Sequence, residues 1–267
     1  NCCRVCDAGG LTVHPYLEHV GPIAFAHRGG HDVAPENTMA SFRHAVSLGY
    51  RYLETDVHLT VDGVLVAFHD ADLNRTCGID AHISEMTAAE VADVLVIADD
   101  GPGHPIPLMS ELFEAFPTAR FNIDAKSDAT VEPLVAIVDR FGAIDRVCLA
   151  SFKRVRLRRL RAELGPRLLT NISPSGIASL RTTGRLRGEH PRAAQVPTTM
   201  NGVTVVNQRF LERARRKRIP VHVWTINDRD EMIRLLDLGV DGIMTDETGL
   251  LRDVLLERGA WAEAEHG

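Results

Sequence analysis

Two histidines, His27 and His69, frame the stretch of this sequence with the greatest chemical content. AHRGGHDVAPENTMASF (26–42) and YLETDVHLTVDGVLVAFHD (52–70) supply a His-Arg pair, two closely spaced acids and a His-Asp pair. Imidazole gives and takes protons near neutral pH, so His27 and His69 are read as an acid–base pair. His27 is assigned as base and His69 as acid, though the residues themselves leave that order open. A lone histidine is more often structural, the reading given to His14, His19, His31, His44, His82, His104, His190 and His266. His58 and His222 lie in strands near the site and are left outside it.

Glu54 and Asp56 are two positions apart in a predicted strand, so both side chains share one face. Two carboxylates there repel unless a cation sits between them, and Asp124 adds a third oxygen donor from the neighbouring strand. An oxygen-only set suits Mg²⁺ or Ca²⁺ better than zinc. Solvated acids at an exposed strand end would explain Glu54 and Asp56 equally well; the flanking histidines favour metal. Arg28 and Lys126 could grip phosphate oxygens, the first as a planar fork and the second as a point charge. The simpler alternative is that they pair with the same acids. Together these groups are the parts needed to cut a phosphodiester beside a divalent metal.

Short Val- and Ile-rich runs alternate with helical patterns along the chain. Strands are predicted at 22–27, 51–60, 64–68, 119–126, 146–151, 167–170, 193–197, 219–227 and 240–246. Asp62-Gly63 is a hairpin turn. Helices are predicted at 35–48, 88–96, 108–115, 131–141, 152–164, 209–217, 229–238 and 248–257, with 99–107 a loop and 174–203 largely irregular. This order implies a parallel sheet with crossover helices, and about eight units imply a TIM (β/α)₈ barrel. A doubly wound sheet is the rival, disfavoured because no Gly-rich fingerprint follows the first strand. His27, Arg28, Glu54, Asp56, His69, Asp124, Lys126, Trp224 and Asp246 all lie toward C-terminal strand ends, where barrel active sites form.

The formal net charge of −6 argues against nucleic acid as a partner. No apolar run is long enough to span a membrane. The first residues lack the apolar stretch of a secretory signal, so a cytoplasmic protein is expected. Five cysteines in an uneven spread suggest no disulfide framework, and the Cys3/Cys6 pair has no partner motif. The expected organisation is an N-terminal extension over 1–20 and one barrel domain over 21–267. The basic runs 153–164 and 212–218 read as solvated helix faces, with peripheral contact to anionic lipid as the lesser alternative. Oligomeric state is not legible.

AHRGG (26–30), PENT (35–38), ETDVHLTVDG (54–63), HDADLNRT (69–76), FNIDAK (121–126), VWTIN (223–227) and GVDGIMTD (239–246) occur in an order that resembles the glycerophosphodiester phosphodiesterase family. The resemblance implies a barrel of the phospholipase-C-like phosphodiesterase type that releases glycerol 3-phosphate and an alcohol from a small glycerophosphodiester. It implies a divalent cation on Glu54, Asp56 and Asp124, acid–base work by His27 and His69, and phosphate contacts from Arg28 and Lys126. The third-strand acid is usually glutamate in that family; here the shorter Asp124 stands there. Trp224 and Phe152 are expected to pack against the glycerol backbone. No large inserted cap is expected between hairpin and third strand. Two rivals stand beside this reading: lysophospholipase D-type cleavage at the same site, and a non-catalytic barrel that binds phosphorylated ligands.

Overall fold

The computed structural model describes residues 14–97, 101–186, 188 and 191–261. The N-terminal cysteines, His190, His266, the start of the 99–107 loop and most of the expected 1–20 extension lie outside the described residues. Eight parallel strands close into a barrel: β1 (Ile23–Ala26), β2 (Tyr52–Leu59), β3 (Arg120–Ala125), β4 (Val147–Ala150), β5 (Leu169–Asn171), β6 (Arg192–Val196), β7 (Val221–Val223) and β8 (Gly242–Thr245). Each pairs with the next, and β1 pairs with both β2 and β8. The crossover helices are α1 (Met39–Ser47), α2 (Met109–Ala115), α3 (Val131–Arg140), α4 (Arg154–Leu164), α5 (Pro174–Thr183), α6 (Gln208–Arg216), α7 (Arg229–Leu238) and α8 (Thr248–Glu257).

Strand alternation divides the apolar side chains into two cores. In β1, Ala24 and Ala26 face the helices, while Ile23 and Phe25 face the barrel axis. The inner cluster continues through Tyr52, Cys148, Leu169 and Met244. Tyr16, on a turn at Pro15–Leu17, joins that cluster; its carbonyl accepts from the Tyr52 hydroxyl at 2.7 Å. Within the expected extension, Tyr16 and Leu17 thus pack against the barrel.

Four sequence expectations change. The helix begun by the reciprocal Thr87–Glu90 cap ends at Ala92, and Leu95–Val96 forms a short ribbon with His104–Pro105. The β-branched run after Ala92 pairs more readily than it coils. Between hairpin and β3 the chain packs a satellite core that includes Phe68, Leu73, Ile83, Val91 and Ile106, so the segment is more than a short connection. Within the supposedly irregular 174–203 region, Pro174 opens helix α5, buried Ile177 and Leu180 line its inner face, and Gly184 closes it at φ +68°. The strand expected at 193–197 is present as β6, and Thr199–Met200 pairs with Val203–Thr204 just beyond it. The Trp224–Asn227 stretch, expected within the seventh strand, is loop beyond β7.

His222 belongs to the inner core. It is fully buried, its ring lies 4.8 Å from that of Phe25, and neither ring nitrogen has a hydrogen-bond partner. Burial pushes its pKa from 6.5 down to about 3. The folded protein thus holds His222 neutral, while the unfolded chain binds a proton below pH 6.5, so this group withdraws stability as pH falls from 6.5 toward 3. Between pH 7 and pH 5 the loss should be roughly 2 kcal/mol. Urea unfolding of wild type and His222→Leu at both pH values should show that much less acid sensitivity in the variant. Equal acid sensitivity would contradict the assignment.

Candidate active site

The site begins where β1 turns. Arg28 adopts φ +53°, and Gly29 and Gly30 follow at +84° and +81°. A Cβ on Gly29 would lie 2.4 Å from Ser41 Oγ, and one on Gly30 2.5 Å from Thr248 Cγ2. The glycines let this turn wedge between the starts of α1 and α8. It presents the Arg28 backbone N–H to Glu54 Oε2 at 3.1 Å and faces His27 into the barrel mouth. The PENT segment locks the turn. Asn37, at φ +55°, donates its backbone N–H to the Arg28 carbonyl at 2.7 Å and accepts from Thr55 Oγ1 at 2.8 Å. Thr38 caps α1 by accepting from the Ser41 N–H at 3.2 Å.

Register sets the acids. Asp56 of β2 stands beside Asp124 of β3, and Glu54 stands beside Asn122 one step deeper. All three carboxylates are buried. Lys126 Nζ reaches Asp56 Oδ1 at 2.7 Å and Asp124 Oδ2 at 2.9 Å. Arg28 Nε approaches Asp56 Oδ2 to 3.3 Å without the alignment of a hydrogen bond. The simpler reading of the two cations, pairing with the acids, is therefore realised here. Two buried carboxylate oxygens, Asp56 Oδ2 and Asp124 Oδ1, are left without a donor.

The electrostatics follow from burial and crowding. Burial, then the Asp56 charge beside it, raises the Glu54 carboxyl to about 7. Burial pushes Asp56 the same way, but Lys126 and Arg28 outweigh it and hold its pKa below the usual value. A proton is thus only loosely retained on Glu54, and added positive charge would displace it. Orphaned oxygens and a strained Glu54 are the donor chemistry that suits a hard divalent cation. Among the described residues no three His, Cys, Asp or Glu side chains already close on one point, and the Lys126 ammonium bridges Asp56 and Asp124.

Each histidine rests on an aspartate. His27 Nδ1 lies 2.6 Å from Asp246 Oδ1, and Asn227 Nδ2 donates to Asp246 Oδ2 at 2.7 Å. His69 Nδ1 lies 2.6 Å from Asp70 Oδ1. With Nδ1 engaged in both rings, Nε2 is the atom left for chemistry. Burial lowers the pKa of both. For His27 the Glu54 and Asp246 carboxylates outweigh burial and raise it; for His69 the pull of Asp56 does not, and Lys126 and Arg28 lower it further. The two rings are thus shifted in opposite directions, His27 upward and His69 downward.

All nine expected site residues line one cavity of about 120 Å³ at the C-terminal mouth. His27, Arg28, Glu54, Asp56, His69, Asp124 and Lys126 make its polar side. Phe152 and Trp224, in edge contact at 6.1 Å, join Ile172, Ile177 and Met200 on the apolar side. The residues that sequence reasoning passed over are the braces. Glu36 accepts from Arg28 Nη1 at 3.0 Å and Arg75 Nη2 at 2.6 Å, and Arg75 Nε donates to Asp70 Oδ2 at 2.6 Å. An unbroken chain thus runs Arg28–Glu36–Arg75–Asp70–His69. The AHRGG, PENT and HDADLNRT motifs contain every link, but not the fact that they meet. His58, its ring nitrogen 3.0 Å from the His69 carbonyl, props the same loop, and Gln195 donates to Asn122 beneath the acids at 2.6 Å.

Comparison with known proteins gives the family. Residues 27–250 match the model of the glycerophosphoryl diester phosphodiesterase family. A Mycobacterium tuberculosis protein named "Probable glycerophosphodiester phosphodiesterase 2" is 36% identical, with 96% of this chain and 98% of that protein covered. Human lysophospholipase D GDPD1 is 28% identical, over 86% of this chain and 85% of its own length. The fold matches a phosphodiesterase from Oleispira antarctica, solved with the product sn-glycerol-3-phosphate, at a TM-score of 0.73 and 24% identity, covering 88% of this chain and 97% of that one. With the barrel, the clustered site and the match along most of its length, the chain belongs to the glycerophosphoryl diester phosphodiesterase family and is a phosphodiester hydrolase.

Proposed function

We propose that this enzyme hydrolyses small glycerophosphodiesters to glycerol 3-phosphate and an alcohol by paired histidine acid–base catalysis beside a divalent cation. The observation that carries the reading is the pair of histidines, each held at Nδ1 by an aspartate, on the rim of one cavity with the acidic cluster. Glu54, Asp56 and Asp124 are the residues that would hold Mg²⁺ or Ca²⁺. Bound there, the cation supplies a Lewis acid for the phosphoryl oxygen.

The chain's own groups do the rest. Arg28 and Lys126 would attract the phosphodiester anion, and their pairing with Asp56 and Asp124 would loosen were those carboxylates to hold another cation. His27 Nε2 takes the proton of the nucleophile, a water or the neighbouring glycerol hydroxyl, as its oxygen bonds to phosphorus. The bond from phosphorus to the alcohol oxygen breaks, and His69 Nε2 protonates that oxygen; where the glycerol hydroxyl attacks, the product of this step is a cyclic phosphate, which water then opens to glycerol 3-phosphate with the two histidine roles exchanged. Asp246 and Asp70 hold each ring at Nδ1, leaving Nε2 free to accept a proton on neutral His27 and to donate one from protonated His69. Phe152 and Trp224 supply an apolar wall for the glycerol carbons.

A second reading changes the substrate to a lysophospholipid. It is favoured by the apolar side of the cavity, where Ile172, Ile177 and Met200 extend the wall beyond what a glycerol unit fills. The similarity to human lysophospholipase D points the same way. Turnover of glycerophosphocholine against lysophosphatidylcholine separates the two, with glycerophosphocholine expected to be faster.

Two predictions follow from these roles. His27→Ala and His69→Ala should each lower kcat by at least about a hundredfold, with circular dichroism unchanged; a fully active double variant would remove both residues from the mechanism. Arg75→Gln, outside the cavity lining, should lower kcat by roughly ten- to a hundredfold by releasing Asp70 and Glu36. Its KM should stay near wild type, and wild-type kcat would mean that the brace does not govern His69.

A further inference from the structure

The basic run of α4 is not simply a solvated face. Arg156 turns inward to the Ala125 carbonyl, Ser151 and Asp128, and Arg159 pairs with Glu132. Arg154, Arg158 and Arg161 follow at spacings of four and three, along one side of the helix. They line a groove of about 780 Å³ between α4 and α5, bordered by Ser173 and Ser179.

Two guanidiniums sit deep in this groove. Arg161 donates to the Thr170 hydroxyl and to the Asn171 carbonyl. Arg192, the first residue of β6, lies in register beside that same Thr170. Both arginines are half-buried, and each has a buried Nε with no acceptor. Among the described residues no carboxylate pairs with either. Burial and the neighbouring Arg192 lower the pKa of Arg161 to about 10, and burial lowers that of Arg192. Two like charges taken out of water without a counter-ion are costly, and an anion offsets that cost. Planar guanidinium donors match phosphate oxygens in pairs.

We propose that the groove between α4 and α5 binds a phosphate group, held between Arg161 and Arg192 with Arg158 at its rim. Leu157, Ile172 and Leu186 give the groove an apolar side for carbons attached to that phosphate. Ile172 also lines the catalytic cavity, so an occupant would abut the active-site mouth. The phosphate could arrive on a soluble molecule or on an anionic lipid headgroup.

The test compares wild type, Arg192→Met and Lys126→Met. The Arg192 side chain has no hydrogen-bond partner among the described residues, so Arg192→Met should fold and keep wild-type turnover. Inorganic phosphate should raise the thermal midpoint of wild type and of Lys126→Met, which removes a catalytic-cavity cation. In Arg192→Met the phosphate affinity should fall at least about tenfold. Co-sedimentation with phosphatidylglycerol against phosphatidylcholine vesicles identifies the source: selective retention of wild type but not Arg192→Met assigns a lipid headgroup, and phosphate binding without retention assigns a soluble one. Arg158→Gln, at an exposed position, should weaken the same binding and serves if Arg192→Met is unstable. The proposal is overturned if neither probe binds, if the Arg192 and Arg158 variants bind as wild type does, or if phosphate stabilisation disappears only in Lys126→Met.

Discussion

Three carboxylates are buried at adjoining positions of two neighbouring strands, and the surrounding structure is arranged to make that tolerable. Side-by-side register of Asp56 and Asp124 forces the charges together, and Glu54 lies one step below. Two cations, Lys126 and Arg28, answer three acids, so the balance stays short of positive charge. The shortage appears as a Glu54 carboxyl raised to about 7 and as two carboxylate oxygens without donors. A bound divalent cation, as proposed, would complete the balance. Once it did, Arg28 and Lys126 would be available to a phosphate anion. Asp124 spends one oxygen on Lys126, and its other oxygen is left without a donor.

The histidines depend on the same cluster through longer connections. His27 is fixed by Asp246 from the far side of the ring closure, and its turn is fixed by two glycines between helix starts. His69 is carried on a loop whose position depends on Asp70, Arg75, Glu36 and finally Arg28. The groups flanking the cavity are therefore coupled: Arg28, proposed to attract the phosphate, also anchors the chain that orients a histidine. This coupling explains why polar residues distant in sequence are buried together at one barrel end.

Much of the site was legible in the sequence because strand ends mark the chemical face of a barrel, and period-two spacing puts Glu54 and Asp56 together. The barrel itself was legible from alternating patterns, although β5 and β7 are only three residues long. The braces were not, because the partnership of Glu36 with Arg75 joins a loop to the short helix Asn74–Cys77, whose approach no local pattern encodes. Helix α5 was missed because its Ser, Thr and Gly content conceals the Pro start and Gly stop. The basic run of α4 looked uniformly solvated because composition cannot tell an arginine turned outward from one turned toward the sheet. His222 shared a face with Trp224, as alternation required, but lies a layer too deep to reach the cavity.

The most direct test of the charge balance is to follow cation binding and turnover together. Wild type and Asp56→Asn would be stripped with chelator, titrated calorimetrically with Mg²⁺ or Ca²⁺, and assayed on glycerophosphocholine. Wild type should bind one ion per chain, lose turnover when stripped and regain it on re-addition, while Asp56→Asn should bind weakly and stay inactive. Undiminished turnover by stripped wild type, or unchanged ion binding by Asp56→Asn, would contradict a cation on these carboxylates.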